Sequence, residues 1–142
     1  MKLNNFLAAV TFVILCSLFS SCEKEERASA FHFASWYGTY PMQELNNDTN
    51  EIEESTAYIS LQFCNSGLEC IVNTGIMGMI ANMKRTYDVK WYSKETFTLS
   101  ESNGGQTIHY YRGNINGSKL SFEFLSCDKV ERTIVLEKII YE

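Results

Sequence analysis

From residue 58 onward, apolar and polar side chains alternate with a period of two, and short clusters of turn residues interrupt the alternation. Ile59, Leu61 and Phe63 fall on one side of a stretch at 58–63, with Tyr58, Ser60 and Gln62 on the other. A period of two puts successive side chains on opposite faces of a pleated strand, and no helix produces it. The pattern predicts strands at 36–42, 58–63, 68–73, 86–92, 96–101, 108–115, 119–125 and 131–140. Asn65-Ser66-Gly67, Ser93-Lys94-Glu95 and Asn103-Gly104-Gly105 are turn signals between neighbours. Connections this short suit antiparallel pairs. No long helical pattern exists, which excludes parallel α/β folds. The expected fold is all-β: an antiparallel up-and-down meander closed into a barrel, with a β-sandwich as the alternative.

One hairpin can be registered in advance. Asn116-Gly117 is a favoured pair for a two-residue type I′ turn. It would pair Ile115 with Ser118, Gly113 with Leu120, Tyr111 with Phe122 and His109 with Phe124. The opposite face would pair Arg112 with Ser121 and Tyr110 with Glu123, leaving Arg112 diagonal to Glu123. The apolar set should face the core, since a slip of one residue would bury Arg112 and Glu123.

Two segments depart from the alternation. Residues 44–56 (ELNNDTNEIEEST) are acidic and read as a long loop. They lack the glycine and distal bidentate acid of a calcium loop, so no metal is expected. Residues 74–83 (TGIMGMIANM) gather Met77, Met79 and Met83 around two glycines. They read as a bulged strand packed into the core, or, from the helical spacing of Ile76, Ile80 and Met83, as a short helix or adaptable apolar flap over a barrel mouth, because methionine side chains mould to irregular surfaces.

The N-terminal residues have a different character. Lys2 is the only charge before Glu23, and residues 6–19 (FLAAVTFVILCSLF) form a weakly polar to apolar run. A basic start followed by a short apolar centre is a secretory signal, and the run is shorter than a membrane-spanning helix. It ends in Ser20-Ser21-Cys22. Small residues directly before a cysteine resemble the lipobox of bacterial lipoproteins. That resemblance implies cleavage after residue 21, a diacylated Cys22 thiol and an acylated (palmitate-type) new amino terminus. Glu23-Lys24-Glu25-Glu26 resembles the surface-export tether of Bacteroidota lipoproteins. The implied location is the outer membrane, lipid-anchored and cell-surface exposed, with its periplasmic face as the alternative. The domain plan is a signal peptide at 1–21, a lipidated tether at 22–33 and a barrel at 34–142. Processing removes Lys2 from the 12 basic residues and none of the 17 acids, so the formal charge goes from −5 to −6. An acidic domain of this kind is not a nucleic-acid binder.

Trp36-Tyr37-Gly38-Thr39-Tyr40 resembles the opening strand of the lipocalin-like small lipoproteins of Bacteroidota, where the Trp plugs one barrel end. The resemblance implies a lipocalin-like barrel and, more loosely, a ligand carrier. Its interior candidates are His109, Tyr111, Phe122 and Phe124, with Met77 and Met79 from the flap. His109 reads equally as a hydrogen-bonded core histidine. Cys64 and Cys70 flank a turn and are candidates for a disulfide, or they stay reduced with Cys127. No CxxC pattern, phosphate loop or nucleophile motif occurs, so no cofactor, metal or enzymatic activity is expected. Tyr58 and Tyr110 are expected to face outward. The leading function is non-catalytic binding of a small apolar ligand inside the barrel. The alternative is a protein-interaction module, such as an inhibitor or envelope-complex subunit, with a solid core.

Overall fold

A computed structural model describes residues 35–140. The expected signal peptide, Cys22 and tether lie outside the described residues. Eight strands follow in order: β1 (Ser35–Asn46), β2 (Glu51–Cys64), β3 (Glu69–Ile76), β4 (Asn82–Trp91), β5 (Thr96–Asn103), β6 (Gln106–Asn116), β7 (Lys119–Ser126) and β8 (Lys129–Ile139). Each pairs antiparallel with the next, and β8 returns to β1, so the sheet closes as an up-and-down barrel. The sandwich alternative falls. Many residues facing out along the strands are polar, among them Thr39, Gln62, Asp88, Lys90, Asn114 and Glu137, with Tyr37, Tyr58, Ile71 and Val135 between them.

The acidic segment at 44–56 is not a long loop. β1 and β2 run through it in register to the pair Asn46↔Glu51, leaving a tip of four residues. Asn46 makes that tip: its side-chain oxygen accepts the amides of Asp48 and Thr49, and its carbonyl accepts the amide of Asn50, which sits at φ 56°. Asparagine supplies both the local acceptor and the tolerance of left-handed backbone.

The β6–β7 hairpin is two residues off the expected register. Asn116 pairs with Lys119, Ile115 with Leu120, Gly113 with Phe122 and Tyr111 with Phe124. The loop is therefore Gly117-Ser118, with positive φ at Gly117 and none at Ser118, as in a type II′ turn. A shift of two preserves the faces. Arg112 lies directly across from Glu123 and forms an ion pair with it.

Closure is uneven, and this shapes everything above the core. β4 and β5 pair only through Asp88–Trp91 and Phe97–Ser100. β1 and β8 pair only through Ser35–Tyr37 and Glu137–Ile139. Above those short seams the barrel is two four-stranded half-shells, β1–β4 and β5–β8, facing each other. The single proline, Pro41, stands where β1 has left β8, at a strand edge that tolerates a missing N–H. The lower half is filled. Trp36, Leu61, Phe63, Phe97, Leu120, Phe122 and Leu136 are at most 1% exposed. Phe63, Trp91 and Phe97 form a ring cluster with centroids 5.0–5.4 Å apart, and the Trp91 indole N–H donates to the Gly67 carbonyl at 2.8 Å. The chain enters at this closed end through Ser35.

Candidate functional site

The open end lies between the half-shells, and aromatic rings bridge it. Tyr87 of β4 contacts Tyr110 and Tyr111 of β6 at 5.4 and 5.5 Å. Tyr40 of β1 meets Phe124 of β7 at 5.5 Å, and Phe124 meets Tyr111 at 5.3 Å. These rings form a floor, with Phe122 fully buried beneath and stacked on Tyr111 at 4.9 Å.

A bulge sets this arrangement. Leu99 pairs with Tyr111 but Ser100 pairs with His109, so Tyr110 is the extra residue. An added residue breaks the alternation locally and re-aims side chains. Tyr110 and Tyr111 both pack on the core, and His109 is placed on the outer face opposite Ser100. Two expectations are thereby corrected: Tyr110 is not outward, and His109 is not an interior residue. The His109 Nδ1 is shielded without a hydrogen-bond partner. Tyr58 does face outward, stacked with Tyr37 at 6.4 Å.

Of the interior candidates, Tyr111, Phe122 and Phe124 come together. Met77 and Met79 sit above them in the β3–β4 connection at the rim, not in the core. The amide of Met77 donates to the Thr56 carbonyl, Gly78 takes φ 86°, and Met77, Met79, Ile80 and Met83 all expose more than half their surface. No helix forms there. Cys64 and Cys70 are unbridged. The register sets Cys70 opposite Phe63, so Cys70 points into the core and Cys64 points out, on opposite faces of the sheet. Cys127 is exposed in a turn with positive φ at both Cys127 and Asp128.

The polar groups of the mouth are those that alternation at the strand tips conceals. Arg85 pairs with Val72, a buried inward residue, so it shares the inner face. Arg132 pairs with inward Phe124, stacks over the Tyr40 ring at 4.9 Å and donates to the Pro41 carbonyl at 3.1 Å, bridging the β1–β8 seam. Ser55 lies opposite Met42 on the inner face, and its hydroxyl is buried with no partner. The Glu101 carboxylate acts on the Tyr110 hydroxyl electrostatically. Burial first, then that carboxylate, raises Tyr110 above the ordinary tyrosine value, while Arg85 pulls the other way. Burial, then Tyr87, raises Tyr111, again opposed by Arg85. Both phenols are held protonated at neutral pH, as hydrogen-bond donors.

Two depressions also mark the outside of the barrel, around Asn114 and Ser121. None of their lining side chains is a buried polar group awaiting a partner, whereas Ser55 in the mouth is. Among the described residues no three His, Cys, Asp or Glu side chains gather as a metal site. The class the geometry defines is a closed eight-stranded meander barrel with a packed base and a divided, tyrosine-floored mouth. Comparison with protein-family models, with curated proteins and with solved structures finds no match to this chain.

Proposed function

We propose that this is a lipid-anchored cell-envelope binding protein, non-catalytic, which takes a small ligand in the mouth between its half-shells. The observation that carries the reading is the contrast between the two ends. The base is packed with side chains that leave almost no exposed surface, while the mouth holds half-buried rings and a rim of exposed methionines. Mostly apolar concave surfaces with a few convergent polar groups are the usual form of a small-molecule site. The expected deep interior site is thus moved upward: Phe122 supports the floor and Tyr111 and Phe124 present it. The anchor is Cys22, and the outer membrane is its location. The barrel hangs from its closed end, because Ser35 enters there.

The uncharged probe N-phenyl-1-naphthylamine tests the site. It should bind with a fluorescence rise, and Y87A and Y111A should each weaken it several-fold while the lower core stays folded by circular dichroism. Absence of binding, or binding indifferent to both substitutions, rejects a mouth site. Labelling with an alkyne palmitate analogue, lost in C22A, tests the anchor.

A second reading rests on the rim. Met77, Met79, Ile80 and Met83 lie at the same end as Leu45 and Ile52 of the β1–β2 tip, all exposed. Such a patch also suits a partner protein. A specific neighbour recovered after crosslinking in membranes, and lost in M79E/I80E, would favour it.

A further inference from the structure

The charges of the mouth are unequal in what they already hold. Glu101 lies close enough to the Tyr110 hydroxyl to act on it electrostatically. Glu53 accepts from the Asn46 amide at 2.7 Å, near the hairpin tip. Glu44, opposite Glu53, stands four residues beyond Tyr40 along β1, roughly 13 Å further up at the rise of a strand. Arg132 already donates to Pro41 and covers Tyr40. Arg85 differs: among the described residues its guanidinium has neither the carbonyl and ring that hold Arg132 nor a carboxylate within ion-pair distance. Its guanidinium stands on the inner face, close enough to Tyr110 and Tyr111 to act on both hydroxyls electrostatically. A guanidinium offers five donors in a planar fork suited to carboxylate, sulfonate or phosphate oxygens. Beside it lies the Tyr40–Phe124–Tyr111–Tyr87 floor.

Building on the mouth as the binding site, we propose that the ligand is an amphipathic organic anion, its acidic group held by Arg85 and its ring or chain laid on the tyrosine floor. The polar and apolar parts of the site are adjacent rather than mixed, which selects a molecule with one charged end. The source of the anion, a free aromatic or fatty acid or a lipid headgroup, is open to the same chemistry. Glu101 sets a limit on affinity, since it places a like charge within reach of the bound anion.

Two probes of nearly the same shape separate this proposal from the reading beneath it. 1-Anilinonaphthalene-8-sulfonate carries a charge that N-phenyl-1-naphthylamine lacks. The sulfonate should bind roughly tenfold more tightly, the scale of one charge-assisted hydrogen bond. R85Q should remove that advantage and leave the neutral probe unchanged, R85K should keep part of it, and E101Q should increase it. Salt should weaken the sulfonate alone. Equal affinities for the two probes, or an R85Q effect that falls equally on both, overturns the anion proposal while leaving the mouth site standing. If neither probe binds, the site itself is wrong. With the preference established, displacement of the sulfonate by a free fatty acid or by anionic lipid vesicles identifies the source.

Discussion

Gly113 lies under the Phe97 ring, directly across from it in the register, and a Cβ there would overlap three of the ring's carbons. The contact lies in the closed half, where Phe97 has no exposed surface and no space into which to move. G113A should therefore cost about 1–3 kcal/mol through overpacking, read from urea unfolding, with the mouth's probe binding retained in the folded fraction. Two other residues couple the fold to pH. Burial, then Cys64, raises the Cys70 thiol above its ordinary 9.0, and burial raises Tyr111 above 10.0. Below those values both groups are protonated in the folded and unfolded chains alike. Above them the unfolded chain releases protons that the folded chain retains, so stability falls as pH rises. The decline should begin near pH 9 with Cys70 and steepen past pH 10 with Tyr111, by about 1.4 kcal/mol per unit for each group. Urea midpoints between pH 7 and 11 check this, and C70A should remove the first part of the decline. Single residues also show where reading from sequence stops. Tyr111, Phe122 and Phe124 are legible as a group because strict alternation holds from 111 toward the turn. His109 is misplaced because one bulged residue, Tyr110, reverses the parity beyond it, and nothing in the local composition marks a bulge.

At the scale of elements, legibility depends on what sets a boundary. The Asn103-Gly104-Gly105 hairpin appears where its glycines place it, because two consecutive positive φ values require them. The β6–β7 turn is misread by one residue because Gly117 serves equally as the second position of a type I′ turn or the first of a type II′ turn, and cross-strand packing of Phe122 and Phe124 decides. Strand tips are hidden for another reason. Glu, Asn and Lys are poor strand formers, so 44–56 reads as loop and β4 reads from Thr86, although pairing carries β4 up to Asn82. Arg85 is overlooked for the same cause: it continues the Tyr87, Val89, Trp91 alternation by one more step. These extended tips are also where the seams open. β4 from Asn82 to Tyr87 pairs with β3 alone, and β1 above Tyr37 with β2 alone. Edges of this kind open locally at low cost. Amides in the upper halves of β1 and β4 should exchange with solvent roughly 100-fold faster than those of 59–63 and 97–99, and an anionic probe in the mouth should slow the upper set selectively. Uniform protection along β4 would mean that the seam is closed in solution.

Over the described residues the molecule is a chain of nearest-neighbour hairpins, with one long-range pairing that joins β1 to β8. Ser35 lies across from Ile139 at the closed end, so both ends of the described chain meet at the packed base. At the opposite end the Gly104-Gly105 turn is open: a side chain added at either glycine would find open space. The order of strands around the barrel is therefore separable from the point at which the chain begins. The closure seam is only three pairs long, and Arg132 reinforces it from above. Joining residue 140 to residue 35 through a short Gly/Ser linker makes that seam local, while cutting between Gly104 and Gly105 makes the β5–β6 pairing the long-range one. β5–β6 is held by eight pairs, far more than the seam it replaces in that role. The permuted chain should fold to the same β-rich spectrum with cooperative unfolding, lose no more than a few kcal/mol, and refold at a rate that no longer depends on Arg132. Loss of cooperativity in the permutant would place the three-residue β1–β8 seam, rather than the filled base, as the element on which the fold depends.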